Sequence, residues 1–571
     1  MKIVRNKTGK GTNVYITKSY RYNGKSTSIV VLNVGKEEEL ARLHKDTKAY
    51  INEVKKECEK NDRHSRSTKR VHLTARYDFQ EKESNYLYGG HLPLRSFFRK
   101  LRLHELCEDI AKKYKFTYDL KAILEYLIYS RVLFPKSKKA TFDMINRFVD
   151  APSIEEHQIY RALDVIEKNM DLIQAHVYKY SHKIVKRDKT VLYYDCTNFF
   201  FESEIDKGLK QHGYSKEHRP NPIVQMGLFT DGEGIPLAFD ITPGNTCEQI
   251  TLRPLEEKVL KDFNLSKVIV CTDAGLSSYT NREFNDRQNR AFVVTQSIRK
   301  LPRHLREWAI GDKDWKSLKD SKISKATFVD EDSDRLYKAR AMLEDFTINN
   351  MKLKQDWRLI VTYSPEYASY QKTLREAQIV RAKSLINNPS RFNKTNTTDC
   401  KRFIKNLAFD SNGEIVKNKL IYDEEIVKEE EAYDGLYALT TNLEGKVQDI
   451  VNIAHNRYKI EEAFRTMKTD FKARPVYLQN DNRIKAHFVT CFLALLIYRL
   501  LDAKMEHKYT GTTLLNCLRE LRYVKADNGY LTSACEIKVL KEIDAMLDLP
   551  ISYAAYTNEN MRNLINSSKR Y

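Results

Sequence analysis

The chain has 571 residues, 41 % of them hydrophobic, and a formal net charge of +21. That length suits about four domains with real cores, and the surplus of Lys and Arg suits a polyanionic partner, nucleic acid ahead of anionic membrane. The N-terminal "MKIVRNKTGKGTNVYITKSY" lacks the apolar core of an export signal, and nine cysteines without a C-x-x-C pair have no zinc-ligand spacing and fit reduced thiols in a cytosol.

The first segment reads as a β-hairpin. "TNVYITKSYRY" and "STSIVVLNVG" flank Asn23-Gly24, a strong turn signal. A charged helical run follows from Lys36 to about Lys60, and the polar stretch 61–85 reads as a linker. Residues 91 to 187 carry helical patterning throughout, as in "LKAILEYLIYSRVLF" and "EEHQIYRALDVIEKNM", and suit a DNA-binding region or a plain helical spacer.

The pattern then turns to strands. "TVLYYDCTNFFFES" (190–203) is rich in β-branched and aromatic residues. "IVQMGLFTDGEGIPLAFDIT" (223–242) reads as two strands joined by a turn at Asp231–Gly234. A helical run, the short apolar strand "KVIVCTDAG", a polar helix and the strand "AFVVTQS" complete the order β-β-β-α-β-α-β. Three meandering strands followed by αβ units give a mixed sheet covered by helices, the RNase H-like arrangement. Cys196 and Cys271 fall in the strand runs as small core residues. Residues 299–445, with Trp308, Trp315 and Trp357, read as a partly β insertion. Trp357 sits in a strand as a core member, whereas Trp308 and Trp315 lie among charged residues. Phe488–Leu496, extended past Arg499, is too short to cross a bilayer and reads as a buried helix. Residues 506–571 read as a helical tail.

Two carboxylates stand out on the strands. Asp195 lies within the first run, and Asp273 ends its strand before Ala-Gly. Sites in open α/β sheets form beyond the carboxyl ends of strands. A third acid comes from "RYKIEEAFRTMKTDF" (457–471). At about 100° per residue, Ile460, Phe464, Met467 and Phe471 form one apolar stripe. Arg457, Glu461, Arg465, Lys468 and Lys472 flank it, and Glu462 faces away, toward solvent. Glu461 is therefore a carboxylate at the rim of a buried face, ringed by cations. Surface ion pairing is its plain reading, worth about 0.2–0.5 kcal/mol per pair. Three oxygen donors in a basic protein suit Mg²⁺, and two such ions suit in-line phosphoryl displacement. Asp231 is explained by its turn, and Asp240 is a minor alternative ligand.

"YYDCTNFFFE", "CTDAGLSS" and "RYKIEEAFRTMK" resemble the three acidic motifs of bacterial insertion-sequence DDE transposases, the cut-and-paste group marked by a Tyr–Arg–Glu–Lys signature. Arg457, Glu461 and Lys468 match that signature in full spacing. Its tyrosine falls on Ala454, and Tyr458, about 40° round the helix, is no evident substitute. "GYSKEHRPNPIVQMGL", "EGIPLAFDITPGNT" and "DGLYALTTN" are lesser matches, and together the motifs span most of 190–500.

The resemblance implies a cytoplasmic, nucleoid-associated enzyme that binds the inverted repeats of its own element, cleaves DNA and transfers strands. It implies Asp195, Asp273 and Glu461 as catalytic ligands of two Mg²⁺ ions (Mn²⁺ as substitute) and no organic cofactor. Arg457, Lys468, Arg465 and Lys472 would meet the DNA, with Trp308 and Trp315 as stacking faces for a base. The partners would be double-stranded DNA, as transposon ends and target, and a second copy of the chain; no membrane is involved. A metal-dependent nuclease of the same fold and a non-catalytic DNA-binding relative are the other readings. The expected layout is 1–90 hairpin, helix and linker; 91–187 helical; 188–298 and 446–505 an RNase H-like α/β core; 299–445 a β-rich insertion domain; 506–571 a helical tail.

Overall fold

The computed structural model describes residues 1–8, 11–22, 25–44, 46–65, 86–265, 267–287, 290–318, 335–348, 351–388, 400–409, 415–526, 529–534 and 536–570. Asn23-Gly24 and most of the expected linker lie outside the described residues. Two compact units divide the chain. One holds Met1–Asn85, Val524–Thr532 and Ala554–Arg562; the other holds Tyr86–Tyr523, Ser533–Tyr553 and Asn563–Tyr571.

In the first unit, β1 (Lys2–Thr8), β2 (Gly11–Tyr22) and β3 (Lys25–Lys36) form an antiparallel sheet. The expected hairpin is β2–β3, and β1 adds a strand on its other edge. Helices α1 (Glu37–Leu43) and α2 (Thr47–Ser65) follow, and Leu40 and Ile51 join Val14 in a small apolar cluster.

The larger unit begins with β4 (Leu87–Tyr88) and six helices: α3 (His91–Lys100), α4 (Leu103–Lys113), α5 (Leu120–Leu133), α6 (Lys138–Ile145), α7 (Glu156–Lys168) and α8 (Met170–Ser181). Then come β5 (Val191–Phe200), β6 (Ile223–Asp231), β7 (Pro236–Pro243), α9 (Glu248–Asp262), β8 (Ile269–Thr272), α10 (Tyr279–Asn285) and β9 (Ala291–Gln296), the expected order of strands and helices. The alternation of β5 explains its place at the centre of the sheet. Leu192, Tyr194 and Cys196 face one way, into a cluster with Leu252, Leu255 and Val259 of α9. Phe199 faces the other way, against Phe488 at 4.8 Å between ring centres. Both faces being covered, the strand is apolar almost throughout.

The segment expected as an insertion continues this sheet. After α11 (Arg303–Ile310) come β10 (Lys316–Ser317), β11 (Leu336–Ile348), β12 (Met351–Tyr363), α12 (Pro365–Asn387), β13 (Ile404–Phe409), β14 (Ile415–Tyr422), α13 (Glu424–Glu431) and β15 (Leu436–Thr441). The nine strands run β10-β11-β12-β15-β9-β8-β5-β6-β7, so β12 and β15 extend the core sheet beyond β9. Trp357 is buried among Phe292, Leu359 and Val361 in the cluster that welds this extension to the core. α12, β13, β14 and α13 gather around Ala382, Phe403 and Val427 as a small satellite.

Helices α14 (Val447–His455), α15 (Tyr458–Arg465) and α16 (Asp481–Lys504) return to the core. α16 is long and apolar enough by length and composition to cross a membrane. Its residues Phe488 to Asp502 are nevertheless all buried within the unit. α17 (Gly511–Glu520), β16 (Arg522–Ala526), β17 (Gly529–Ser533), α18 (Ile537–Leu547), β18 (Ala555–Thr557) and α19 (Asn558–Ser568) end the chain. The tail expected to be helical thus also carries three short strands.

Candidate active site

Strands β5 and β8 are parallel, with Tyr193 beside Cys271. Two residues on, the same register sets Asp195 beside position 273, just past the end of β8. Both carboxylates therefore leave neighbouring strands on one face, the face α16 covers. Asp195 Oδ1 accepts the backbone N–H of Cys196 at 2.7 Å, and Asp273 Oδ1 accepts that of Leu276 at 3.0 Å. The turn brings Gly275 close to the carboxylate: a Cβ there would stand in ordinary contact, 3.4 Å from Asp273 Oδ1. Asp240 is not part of this pair. Asp195 lies opposite Leu228, and Leu228 opposite Phe239, so Asp240 falls on the other face. Asp231 closes its turn, accepting the N–H groups of Glu233 and Ile235, and is ion-paired at 2.6 Å with buried Arg187.

Burial pushes the Asp195 carboxyl up to about 6, and the Asp273 charge adds to the effect, while Lys216, the Cys196 N–H and Arg457 oppose it. The Asp195 carboxyl is raised in spite of these two cations, and the pair's donors are hard oxygens, the kind Mg²⁺ and Mn²⁺ take. Asp195 and Asp273 thus fit a divalent cation. Cys196 and Cys271, both 1 % exposed, are core residues as expected, and burial holds their thiols well above the usual range.

Glu461 comes from α15, whose stripe is as expected: Ile460, Phe464, Met467 and Phe471 are all buried. The helix is shorter than the periodicity implies. Arg457 is its N-cap residue, Ala454 belongs to the separate α14, and Thr466–Asp470 is a π-helical turn. The Glu461 carboxylate is 53 % exposed and bonded to Arg457 Nη2 at 2.6 Å. Among the described residues no three acidic, His or Cys side chains stand close enough to hold one metal ion. Arg457 is ion-paired with Glu461 and feels the charges of both aspartates. Burial works against its charge, but Glu461, Asp195, Tyr437 and Asp273 outweigh this and hold the guanidinium above its ordinary value.

Glu462 differs from the sequence expectation. It does not face open solvent: its Oε2 accepts from Arg499 of α16 at 3.1 Å, and Arg499 is only 9 % exposed. The helix is packed so close to α16 that the face away from the stripe still meets a buried cation. Arg465 and Lys472 are both exposed, Arg465 lying 3.5 Å from Glu462 Oε1. Lys468 is half-buried, and burial, with Lys216 acting in the same sense, pushes its amine down to about 8.

Trp308 and Trp315 are used internally. Both are half-buried against the Trp357 cluster, and their indole N–H groups donate to Asp314 and to the Gly311 carbonyl. The Lys338 ammonium lies over both rings, 5.1 and 4.3 Å from their centres. Their charged sequence neighbours suggested exposure, but the packing comes from β11, well over twenty residues away.

Lys216 carries no periodic signal and was not legible as a site residue. Its Nζ donates to the Cys196 carbonyl at 2.6 Å and pairs with Glu248 at 3.0 Å. It thereby pins the strand beside Asp195 and supplies a charge there. Its only hint was its motif, "GYSKEHRPNPIVQMGL".

The family model of the transposase DDE domain matches residues 186–497, more than half of the chain. No curated protein matches it. Similar solved structures include a piggyBac transposase synaptic complex with hairpin DNA, 9 % identical, covering 85 % of this chain and 86 % of that one at a TM-score of 0.34. A Mos1 transposase paired-end complex with left transposon end is 13 % identical, over 45 % of this chain and 75 % of that one, at 0.14. Those TM-scores are too low for the superpositions to bear on the site.

Proposed function

The chain belongs to the transposase DDE domain family, and from that premise we propose that it is a DNA transposase that binds the inverted-repeat ends of a mobile element, cleaves there and joins the freed strand to new DNA. The observation that carries this reading is the carboxylate pair of Asp195 on β5 and Asp273 just past the end of the neighbouring parallel strand β8, with Lys216 and Arg457 close enough to offset its charge.

Asp195 and Asp273 would hold a divalent cation. When bound, that cation supplies charge stabilisation for an in-line displacement at phosphorus. The chain's own residues do the rest. Strand β5 holds Asp195 between buried neighbours, and the turn just past β8 holds Asp273 through the Leu276 N–H. Lys216 fixes the Asp195 edge through the Cys196 carbonyl. Arg457 is the switchable element: a DNA phosphate arriving at its guanidinium would compete with Glu461 for it. A freed Glu461 would then be available as the third acid. Lys468, desolvated and close enough to sense Asp195, would meet a second phosphate. In the hydrolytic step a water loses its proton and opens the phosphodiester to leave a 3′-hydroxyl. In the joining step that hydroxyl loses its proton, attacks another phosphodiester and expels a different 3′-oxygen. Joining two ends calls for two copies of the chain on one DNA, in the cytoplasm at the nucleoid.

The test is a plasmid carrying the element with its flanks, incubated with purified protein in Mg²⁺ or in EDTA. Excised and rejoined products in Mg²⁺ alone support the reading. Hydrolysis without any joined product makes the protein a nuclease, and DNA binding without cleavage makes it a binding protein.

A further inference from the structure

Residues Ser215–Arg219 form a tight turn. The His218 N–H donates to the Ser215 carbonyl at 2.9 Å, the Arg219 N–H donates to Ser215 Oγ at 3.2 Å, and His218 itself sits at φ 54°. The turn sends two neighbouring side chains to different places. Lys216 reaches the Asp195 strand, as described. Glu217 enters a group of cations: Lys468 at 3.8 Å, Arg219 at 3.5 Å, and Arg474 in direct contact. The two guanidinium groups are further held over the Phe200 ring, 4.1 and 5.9 Å from its centre.

The charges do not balance. Three cations face one carboxylate, and two of them, Lys468 and Arg474, are 15 % and 24 % exposed. Burial lowers the proton affinity of both. Desolvated cations of this kind gain from an anion. A carboxylate offers one charge over two oxygens, and a phosphodiester offers one charge over two non-bridging oxygens. Glu217 thus has the charge and the acceptor count of a backbone phosphate, one residue on from the Lys216 that reaches the Asp195 strand.

We propose that Arg219, Lys468 and Arg474 form a subsite for a DNA phosphodiester beside Asp195, and that Glu217 is the internal anion that fills it until a phosphate takes its place. The inference rests on the DNA-acting reading above and adds to it a built-in competitor. Free protein keeps the subsite closed. DNA entering the site displaces the carboxylate, which then takes up a cation from solution. Binding to arbitrary DNA is weakened, because every phosphate placed there must first displace Glu217.

The probe is a random-sequence duplex of about three helical turns, in EDTA, so that cleavage plays no part. Affinity is measured across a salt series. Each phosphate neutralised contributes about −0.9 to the slope of log K against log salt. Glu217→Gln should bind about tenfold tighter at moderate salt and steepen the slope by about 0.9, because no cation is taken up on displacement. Lys468→Gln and Arg474→Gln should each weaken binding and flatten the slope by about 0.9. Glu217→Gln should gain much less in the Arg474→Gln background. Unchanged or weaker binding by a folded Glu217→Gln protein overturns the proposal and leaves Glu217 as a prop for the turn. If that variant does not fold, an unaltered slope in both Lys468→Gln and Arg474→Gln overturns it equally. Inorganic phosphate at constant ionic strength is the second arm. If it displaces the duplex from Glu217→Gln no better than chloride does, the DNA assignment stands; efficient displacement would assign the subsite to free phosphate instead. Because no chemistry is read, a protein that never cleaves could still pass or fail this test.

Discussion

Asp195→Asn should make the metal-free protein more stable while abolishing its chemistry. The Asp195 carboxyl is raised from 3.8 to about 6, first by burial and then by Asp273. At about 1.36 kcal/mol per pKa unit, its ionised form costs the fold about 3 kcal/mol at neutral pH. The sign follows from the direction of the shift. The cost is fully present above the folded value and fades as pH falls from about 6 toward 3.8, where the carboxyl is protonated in both states. An asparagine of the same shape carries no such cost. The variant should therefore melt about 3–5 °C higher at pH 7.5, for a unit of this size, with roughly half that gain at pH 5. Thermal melts at both pH values, in EDTA, provide the comparison. Mn²⁺ should then raise the melting point of the wild type and leave the variant nearly unmoved, since only a native-state ligand stabilises by mass action. A variant that melts below the wild type at pH 7.5, or a gain that does not shrink with pH, would refute the burial argument.

Other outcomes follow from the same geometry. Glu462→Ala should retain strand transfer but lose about 1 kcal/mol of stability, read as a lower melting point, because it removes the nearer of the two carboxylates paired with buried Arg499. DNA affinity should decline as pH rises from 7 to 9, since the Lys468 amine, at about 8 in the free protein, loses the charge a phosphate needs; Lys468→Arg should remove that decline in a binding titration. Trp357→Ala should cost about 3–5 kcal/mol as a buried aromatic. Trp308→Ala and Trp315→Ala should lower the melting point and slow first-strand nicking and later strand processing to the same degree in a time course, as the internal packing of both rings around Lys338 requires.

Local patterning carried much of this fold. The alternation of β5 and the short apolar run of β8 announced a sheet covered on both faces, and the stripe from Ile460 to Phe471 announced α15. What escaped were contacts between residues far apart in sequence. That β12 and β15 extend the core sheet depends on strand pairing to β9, which no window of residues expresses. Glu462 read as solvated because Arg499 lies thirty-seven positions on, across a helix packing. The π-helical turn at Thr466–Asp470 shifts the register behind Glu461, and no residue type announces it. For the site, Asp273 was expected from the end of its strand, Asp195 from within its run and Glu461 from a helix face, whereas Lys216 was not, because a lysine in a loop has no period to stand out from.

The most direct measurement of the central claim uses a labelled element end with its 3′-hydroxyl already exposed, incubated with target DNA and Mg²⁺. Asp195→Asn, Asp273→Asn and Glu461→Gln should each lose joining while still binding the end, and Glu462→Gln should join at close to the wild-type rate. Joining at the wild-type rate by any of the first three variants would contradict the account.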